Sequence, residues 1–283
     1  MKPLIERLPV AEGNSFVANT HRTPRFEVPW HQHVEYELIL ITEGSGLGFI
    51  GNYVGEFKVG DIFFIGSNMP HTFKKENNNI TSAIVVQFTD SFWGADFLAL
   101  PENKLLRDLF RLSMKGIKPE GKSKIALTKL IKKLEHCTGV SRISTLLDCL
   151  DLLINEDNKT ILSTSEMPVL NEKYQDRMDT IFKFTISNFQ EQITLNQIAS
   201  IANMTVTAFC FYFKKSTKKS YVEFLNEIRI GHACKLLQST NKPITEVCYE
   251  SGFNTAANFN KQFIKFKKSS PSRFRANFKQ TKF

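Results

Sequence analysis

The hydrophobic positions of this chain follow two different periods, one in each part of the sequence. Up to about residue 90, short β-branched and aromatic runs such as YVGEFKVGDIFFI and TSAIVVQF are separated by Gly, Asn and Pro. Short runs of this kind, with turn residues between them, are typical of a small antiparallel β-barrel or jelly roll. After about residue 91 the apolar residues recur every three or four positions, which predicts helices. The pattern therefore predicts an α+β protein.

These two patterns divide the chain into segments. We expect a small β-barrel over residues 1–92 and a helical segment over 93–155, where LLRDLFRLSMK, KIALTKLIKKLEHC and SRISTLLDCLDLLI have helical spacing. The polar stretch 156–171 contains Pro168 and has little periodicity, so we expect it to be an interdomain linker. Residues 172–283 are predicted to form an all-α domain.

The most informative stretch of the chain is residues 244–274, ITEVCYESGFNTAANFNKQFIKFKKSSPSRF. Its apolar residues have helical spacing on both sides of Gly252, which supplies the conformational freedom that a tight turn needs. Phe259 and Phe263 lie four residues apart and therefore share one face of the second helix. This pattern predicts a helix-turn-helix, a motif whose second helix enters the DNA major groove.

The same pattern occurs once more, about fifty residues earlier, in LNQIASIANMTVTAFCFYFKK. Asn203-Met204 takes the place of Gly252-Phe253 there, and Phe209 and Phe213 match the two later phenylalanines. Between the two motifs, YVEFLNEIRIGHACKLLQST has helical spacing and ends before a proline, so we expect one connecting helix. A single helix would fix the separation of the two motifs.

Charge is distributed unevenly between the two parts of the chain. Residues 172–283 hold 18 Lys and Arg against 8 Asp and Glu, a net charge of +10, whereas residues 1–171 hold 19 against 20. A basic excess concentrated on a doubled helix-turn-helix favours a polyanionic partner. We therefore expect the C-terminal domain to bind double-stranded DNA.

The doubled motif resembles the AraC/XylS family of bacterial transcription regulators over about residues 175–280. The resemblance is carried by the Gly-Phe turn, by Phe259 and Phe263, and by the closing Ser270-Pro271-x-x-Phe274-Arg275. It implies a sequence-specific regulator, not an enzyme, that binds promoter DNA. It also implies RNA polymerase as a second partner and a homodimer as the working form.

The position of each residue on the second helices predicts which side chains face the DNA. They are Thr205, Val206, Thr207, Cys210, Phe211, Lys214 and Lys215 in the first motif, and Asn254, Thr255, Ala256, Asn258, Lys261 and Lys265 in the second. The chain departs from the family at Phe211, where a basic residue is common, at Lys261, where Arg is common, and at Lys268, where Gly is common. The outward face of the second helix in the first motif is apolar. This helix therefore either contacts thymine methyl groups or reads DNA weakly and packs instead.

The N-terminal half resembles a cupin sensor domain, so the predicted barrel is expected to be cupin-like. His31, His33, Glu37 and Gly44 meet the spacing of one cupin motif, and Gly60 and His71 meet that of the other. The second motif departs from the family pattern at Gly66, Asn68 and Lys75. The resemblance implies that this domain binds a small-molecule effector.

Four of these side chains are candidates for the effector or metal site. His31, His33 and Glu37 share parity on a predicted strand and would face the barrel interior together, where His71 would join them. Such donors can hold a divalent transition metal. The same side chains can also line a metal-free pocket, and Glu35 has the same parity, which favours a merely polar strand end.

Two further features each have two interpretations. Trp30 would either stack on a ring of a sugar-like effector or belong to the hydrophobic core. The last helix of the segment 93–155 would either pair two subunits, as the family resemblance implies, or cover its own barrel. Its apolar stripe consists of Ile143, Leu146, Leu147, Leu150, Leu153 and Ile154.

The sequence as a whole favours a cytoplasmic regulator. It has no run of 18 apolar residues, and Glu6 and Arg7 stand where a secretory signal needs an apolar stretch. We therefore expect no membrane contact and a ligand-responsive transcription regulator. Two alternatives remain open: a cupin metalloenzyme tethered to DNA, and a constitutive DNA-binding protein whose barrel is only structural.

Overall fold

The computed structural model describes residues 13–23, 30–75, 80–94, 96–164 and 172–280. The chain forms two compact units that divide near residue 175. The first unit is built on antiparallel strands and the second is helical, so the predicted α+β fold is confirmed. Among the residues described, no helix is long and apolar enough to cross a membrane.

Antiparallel strands form two sheets in the first unit. The strands are β1 (Val17–Thr23), β2 (Tyr36–Glu43), β3 (Ser45–Ile50), β4 (Tyr53–Lys58), β5 (Ile62–Ile65), β6 (His71–Lys75), β7 (Thr81–Phe88), β8 (Ile117–Pro119) and β9 (Lys159–Ile161). The larger sheet has the order β1-β7-β2-β5-β8-β9, and the smaller has the order β4-β3-β6. The runs YVGEFKVGDIFFI and TSAIVVQF correspond to the strands β4, β5 and β7.

The central strand β2 is buried on both faces because it separates two hydrophobic layers. Ile39 and Ile41 face the smaller sheet, whereas Leu38 and Leu40 face the helices that cover the larger sheet. Alternate side chains of a strand point to opposite faces, so a strand between two apolar layers has a continuous apolar run. Glu37 has the parity of the two isoleucines and therefore points between the sheets.

Helices pack on the outer face of the larger sheet. They are α1 (Lys104–Ser113), α2 (Ser123–Leu134) and α3 (Gly139–Ile154). Leu146, Leu150 and Leu153 of α3 are buried in this layer, so most of the apolar stripe on α3 covers its own sheet. Val140, 82% exposed, and Ile143, 39% exposed, remain on the outside.

Part of the segment that the sequence pattern assigns to a linker belongs to the sheet. Its strand β9 pairs with β8, with Ile161 opposite Ile117. Glu156 accepts a hydrogen bond from the backbone N–H of Ser123 at 3.2 Å, at the start of α2, and another from the backbone N–H of Asn158 at 2.8 Å. A strand of three residues is too short to show alternation, which is why the pattern did not predict it.

The second unit contains the two predicted helix-turn-helix motifs. Its helices are α4 (Glu172–Asn188), α5 (Leu195–Ile201), α6 (Val206–Thr217), α7 (Tyr221–Ser239), α8 (Ile244–Glu250), α9 (Ala256–Lys267) and α10 (Pro271–Gln280). The first motif is α5 and α6, the second is α8 and α9, and α7 connects them. We call α6 and α9 the recognition helices.

Aromatic side chains form the core of each motif. Phe213 of α6 packs on Tyr221 and Phe224 of α7, with ring centroids 5.4 and 5.2 Å apart. In the second motif the rings of Phe259 and Phe263 have centroids 5.6 Å apart and are fully buried. The phenylalanines at four-residue spacing share one face of each helix, as predicted, and that face is the inward one.

A clamp ties the loop between α4 and α5 to the connecting helix α7 and to the turn of the second motif. Arg229 of α7 donates from Nε to the carbonyl of Phe189 and from Nη2 to that of Glu191, both at 2.7 Å. Gln190 donates to the carbonyl of Glu250 at 2.8 Å. Gly252 has a φ of 82°, and a Cβ there would lie 2.5 Å from the carbonyl oxygen of Phe189. The second turn therefore needs glycine for its conformation and for this close approach.

Candidate functional site

His31, His33, Glu37 and His71 converge in the first unit. Their ligand atoms lie within 4.8 Å of one another, and all four residues are buried. Glu37 lies on β2, His71 begins β6, and the other two histidines precede β2. The backbones of His31 and His71 exchange two hydrogen bonds, of 3.1 and 2.9 Å, which bring these segments together.

Strand parity does not explain this convergence, because β2 begins at Tyr36 and His31 and His33 are not on it. Instead, the backbone N–H of Asn68 donates to the carbonyl of His33 at 2.7 Å, so the loop before β6 holds the segment in place. Asn68 has a φ of 56°. It stands where the cupin motif has glycine, and asparagine is among the residues that tolerate this left-handed conformation.

Backbone carbonyls fix the tautomers of two histidines. His33 Nδ1 lies 3.0 Å from the carbonyl oxygen of Glu35, and His71 Nδ1 lies 2.8 Å from that of Met69. A carbonyl oxygen only accepts, so each Nδ1 carries the hydrogen and donates it. Both Nε2 atoms then face Oε2 of Glu37, at 2.8 Å from His33 and 2.9 Å from His71. Each nitrogen must either carry a proton or share a cation with the carboxylate.

The electrostatics of the cluster favour charged groups. Burial tends to raise the pKa of Glu37, but the charge of His71 and the hydrogen bonds from both histidines outweigh it, and this pKa lies well below its usual value. Burial tends to lower the pKa of His33, but the hydrogen bond and charge of Glu37 outweigh it and raise this pKa. The site therefore stabilises the ionised carboxylate of Glu37.

Sequence reasoning missed one side chain of the cluster. Gln87 lies directly across from Glu37 on the neighbouring strand β7, and its Nε2 lies 3.3 Å from Nε2 of His33. The available signal was that Gln87, a polar residue of a mostly apolar strand, has the same parity as Val85, which faces inward. Trp30 is buried, which favours its interpretation as a core residue over stacking on an effector.

The predicted DNA-facing residues of the second unit lie largely on its surface. Thr205, Thr207, Cys210, Phe211, Lys214, Lys215, Asn254, Thr255, Asn258, Lys261 and Lys265 are exposed, and Val206 and Ala256 are half-buried. Phe211 is 71% exposed. It therefore does not pack into the core of its own unit.

Two of these residues also have a structural role. Thr205 and Thr255 precede the recognition helices, and their hydroxyl oxygens accept from the backbone N–H of Ala208 and Asn258, both at 3.3 Å. Both are N-caps, so their replacement affects helix stability as well as any DNA contact. Lys265 is paired with Glu223 at 2.7 Å, so its charge is partly compensated before DNA binds.

Both units match families of known proteins. Residues 14–89 match the family described as "AraC-like ligand binding domain", and residues 198–277 match "Helix-turn-helix domain". The chain is similar to the transcriptional activator RhaS of Mannheimia succiniciproducens, at 21% identity over 86% of this chain and 87% of that protein. It is also similar to the uncharacterized transcriptional regulator YdeC of Bacillus subtilis, at 24% identity over 83% and 82%.

The chain is also similar to a solved structure, the DNA-binding domain of AdpA in complex with a target DNA. It covers 36% of this chain and 91% of that chain at 23% identity, with a TM-score of 0.35. A score this low establishes no shared fold, so the likeness of the sequences is the stronger finding.

Proposed function

Because the chain belongs to the AraC family of ligand-responsive, DNA-binding transcription regulators, we propose that its first unit senses a small molecule at the histidine–glutamate cluster. The observation that supports this site is the convergence of His31, His33, Glu37 and His71 within 4.8 Å in a buried position. Effector binding there would change the packing of the sensor and, through it, the engagement of promoter DNA.

The donor chemistry of the cluster fits a divalent first-row transition metal. His31, His33, Glu37 and His71 would hold the ion, and carbonyl oxygens at Nδ1 of His33 and His71 orient those rings as metal-binding histidines require. Such an ion supplies a Lewis-acidic coordination position for an oxygen of the effector. Gln87, beside His33, would orient a polar group of the effector by hydrogen bonding.

Elemental analysis of protein purified without an affinity tag tests this site. We expect about one equivalent of metal in the wild type and its loss in His33→Ala, because removing one ligand weakens the remaining set. His136→Ala is the matched control, since His136 is an exposed histidine of the same unit. The response of a promoter reporter to a panel of metabolites would be measured in the same variants.

The outcomes separate a metal site, a metal-free pocket and a wrong assignment. A metal-free wild type with a blunted reporter response in His33→Ala would indicate a pocket that binds the effector by hydrogen bonds. The proposed site is wrong if His33→Ala and His71→Ala both leave metal content, stability and reporter response unchanged.

For the second unit we propose that the exposed residues of α6 and α9 contact promoter DNA. If about 5 phosphates are neutralised, the logarithm of the affinity should fall with the logarithm of salt concentration at a slope of about −4 to −5. Gel-shift titration of the full chain with DNA selected from a random pool measures this slope. No retarded band at low salt would contradict the proposal.

We also propose a homodimer that uses the outward strip of α3, formed by Val140 and Ile143. An 82% exposed valine beside a partly exposed isoleucine supports an apolar contact with a second copy. Replacing both by Asp should convert the dimer to a monomer in sedimentation velocity. Ile125→Asp on α2 is the control, and a wild type that sediments as a monomer would contradict the proposal.

Three finer proposals complete this function: that the first unit binds its effector without converting it, that the protein acts in the cytoplasm, and that it contacts RNA polymerase. The first unit would bind its effector without converting it, as in a regulator, and conversion of an effector by the full chain with added metal would instead indicate the metalloenzyme alternative. We place the protein in the cytoplasm, where promoter DNA and RNA polymerase are present. Transcription in vitro with purified polymerase, with and without the protein, tests the polymerase contact.

A further inference from the structure

Phe211 occupies the centre of the outward face of α6. The inward face is marked by Phe209 and Phe213, both fully buried. With about 100° between successive residues of a helix, Phe211 points away from both of them. Thr207 lies one turn toward the start of the helix and Lys214 one turn toward its end, and both are exposed.

A phenylalanine at this position has few partners in DNA. Its side chain has no hydrogen-bonding group, so it contacts neither phosphate oxygens nor the polar edges of bases by hydrogen bonds. In the major groove the distinctive apolar group is the C5-methyl of thymine. An exposed ring gains free energy by removing that methyl and part of its own surface from water.

The charges around Phe211 favour DNA over an apolar protein surface as the partner. Lys214 and Lys215, about one helical turn after Phe211, and Lys218 at the C-cap of α6 are exposed. Lysines at the edge of a recognition helix are suited to phosphate groups on either side of the groove. An apolar centre with a basic margin therefore matches a thymine-containing major groove.

We propose that Phe211 is a specificity-determining residue that contacts thymine methyl groups, so that the first motif recognises its half-site partly by the pattern of methyl groups. This inference rests on the proposed DNA contact of α6. It assigns to that helix a readout different from the hydrogen bonding that Asn258 offers on α9.

Replacing single thymines by deoxyuridine tests the proposal, because this removes one methyl and leaves every hydrogen-bonding group in place. DNA would first be selected from a random pool by the full chain, and each thymine would then be replaced in turn. At one or more positions, deoxyuridine should weaken binding by about fourfold, the effect of one buried carbon. Phe211→Ala should show no such loss at those positions, since the two changes remove the same contact.

Two controls keep the result specific. Ile125→Ala removes an apolar side chain that is also 71% exposed but lies in the other unit, and it should keep the wild-type deoxyuridine profile. Circular dichroism would establish that Phe211→Ala remains folded.

The remaining outcomes distinguish this inference from the proposed function. If no DNA is selected, the proposed function fails. If DNA binds and Phe211→Ala keeps the wild-type deoxyuridine profile, methyl readout by Phe211 is overturned while the proposed function stands. An unchanged profile together with lost transcription would show that the ring contacts a protein instead.

Discussion

The two recognition helices share the same caps and the same buried phenylalanines, and they differ in the side chains that they expose. Each follows a threonine N-cap and is followed by a C-cap lysine with positive φ, 58° at Lys218 and 55° at Lys268. Their outward centres differ, because Phe211 of α6 corresponds by position to Lys261 of α9. The comparison teaches that the inward positions determine the helix-turn-helix, while the outward positions are free to acquire different readouts.

The largest expected effect tests the buried phenylalanines that the two recognition helices share. Phe213→Ala and Phe263→Ala each remove a fully buried ring and should each lower the free energy of unfolding by about 3 to 5 kcal/mol. Phe211→Ala should change it by less than about 0.5 kcal/mol because the ring is exposed. Hydrogen exchange of peptides from α6 and α9 measures these changes. A large loss in Phe211→Ala would reverse the assignment of faces.

The buried face of each recognition helix was predictable from the sequence because packing places apolar residues at helical spacing. Phe259 and Phe263 have helical spacing and are buried, and the cupin spacing identified four side chains that do converge. The pairing of Gln87 with Glu37 depends on strand register between β2 and β7, which no local pattern specifies. The clamp at Arg229 joins residues 40 positions apart and was likewise not predictable.

A second prediction concerns the N-caps. Thr205→Ala and Thr255→Ala should each cost about 1 kcal/mol of stability, because each removes the acceptor for one backbone N–H at the start of a recognition helix. Serine at either position keeps that hydrogen bond and is the matched control. Thermal unfolding followed by circular dichroism is the measurement. Equal stability of the Ala and Ser variants would exclude a capping role.

The outward difference should be visible in the salt dependence of DNA binding. Lys261→Ala should flatten the slope of log affinity against log salt by about 1 if this lysine neutralises one phosphate, whereas Phe211→Ala should leave it unchanged. Phe211→Lys should steepen the slope by about 1. Fluorescence anisotropy titrations at several salt concentrations measure it. A slope that responds equally to both alanine variants would remove the distinction between the helices.

The smallest expected effect concerns the two lysines with positive φ. Lys218→Gly and Lys268→Gly should each stabilise the second unit by about 0.5 kcal/mol, because relief of left-handed strain exceeds the greater chain entropy of glycine when unfolded. Lys267→Gly, inside α9, should instead destabilise it by about 1 kcal/mol. Urea unfolding of the three variants provides the comparison. Destabilisation by all three would show that the two lysines are not strained.

The clamp between Arg229 and the loop after α4 has a consequence for the DNA. B-form DNA turns once in about 10 to 10.5 base pairs, so displacing one half-site by about 5 base pairs moves its major groove to the opposite side of the duplex. Two recognition helices joined by a flexible linker could move to follow that displacement. If both recognition helices bind one promoter, the hydrogen bonds of Arg229 to Phe189 and Glu191 and the approach of Gly252 to the same loop would resist that displacement, and the duplex would have to twist or bend. Helical phase between half-sites is then the property that promoters under this regulator can least change.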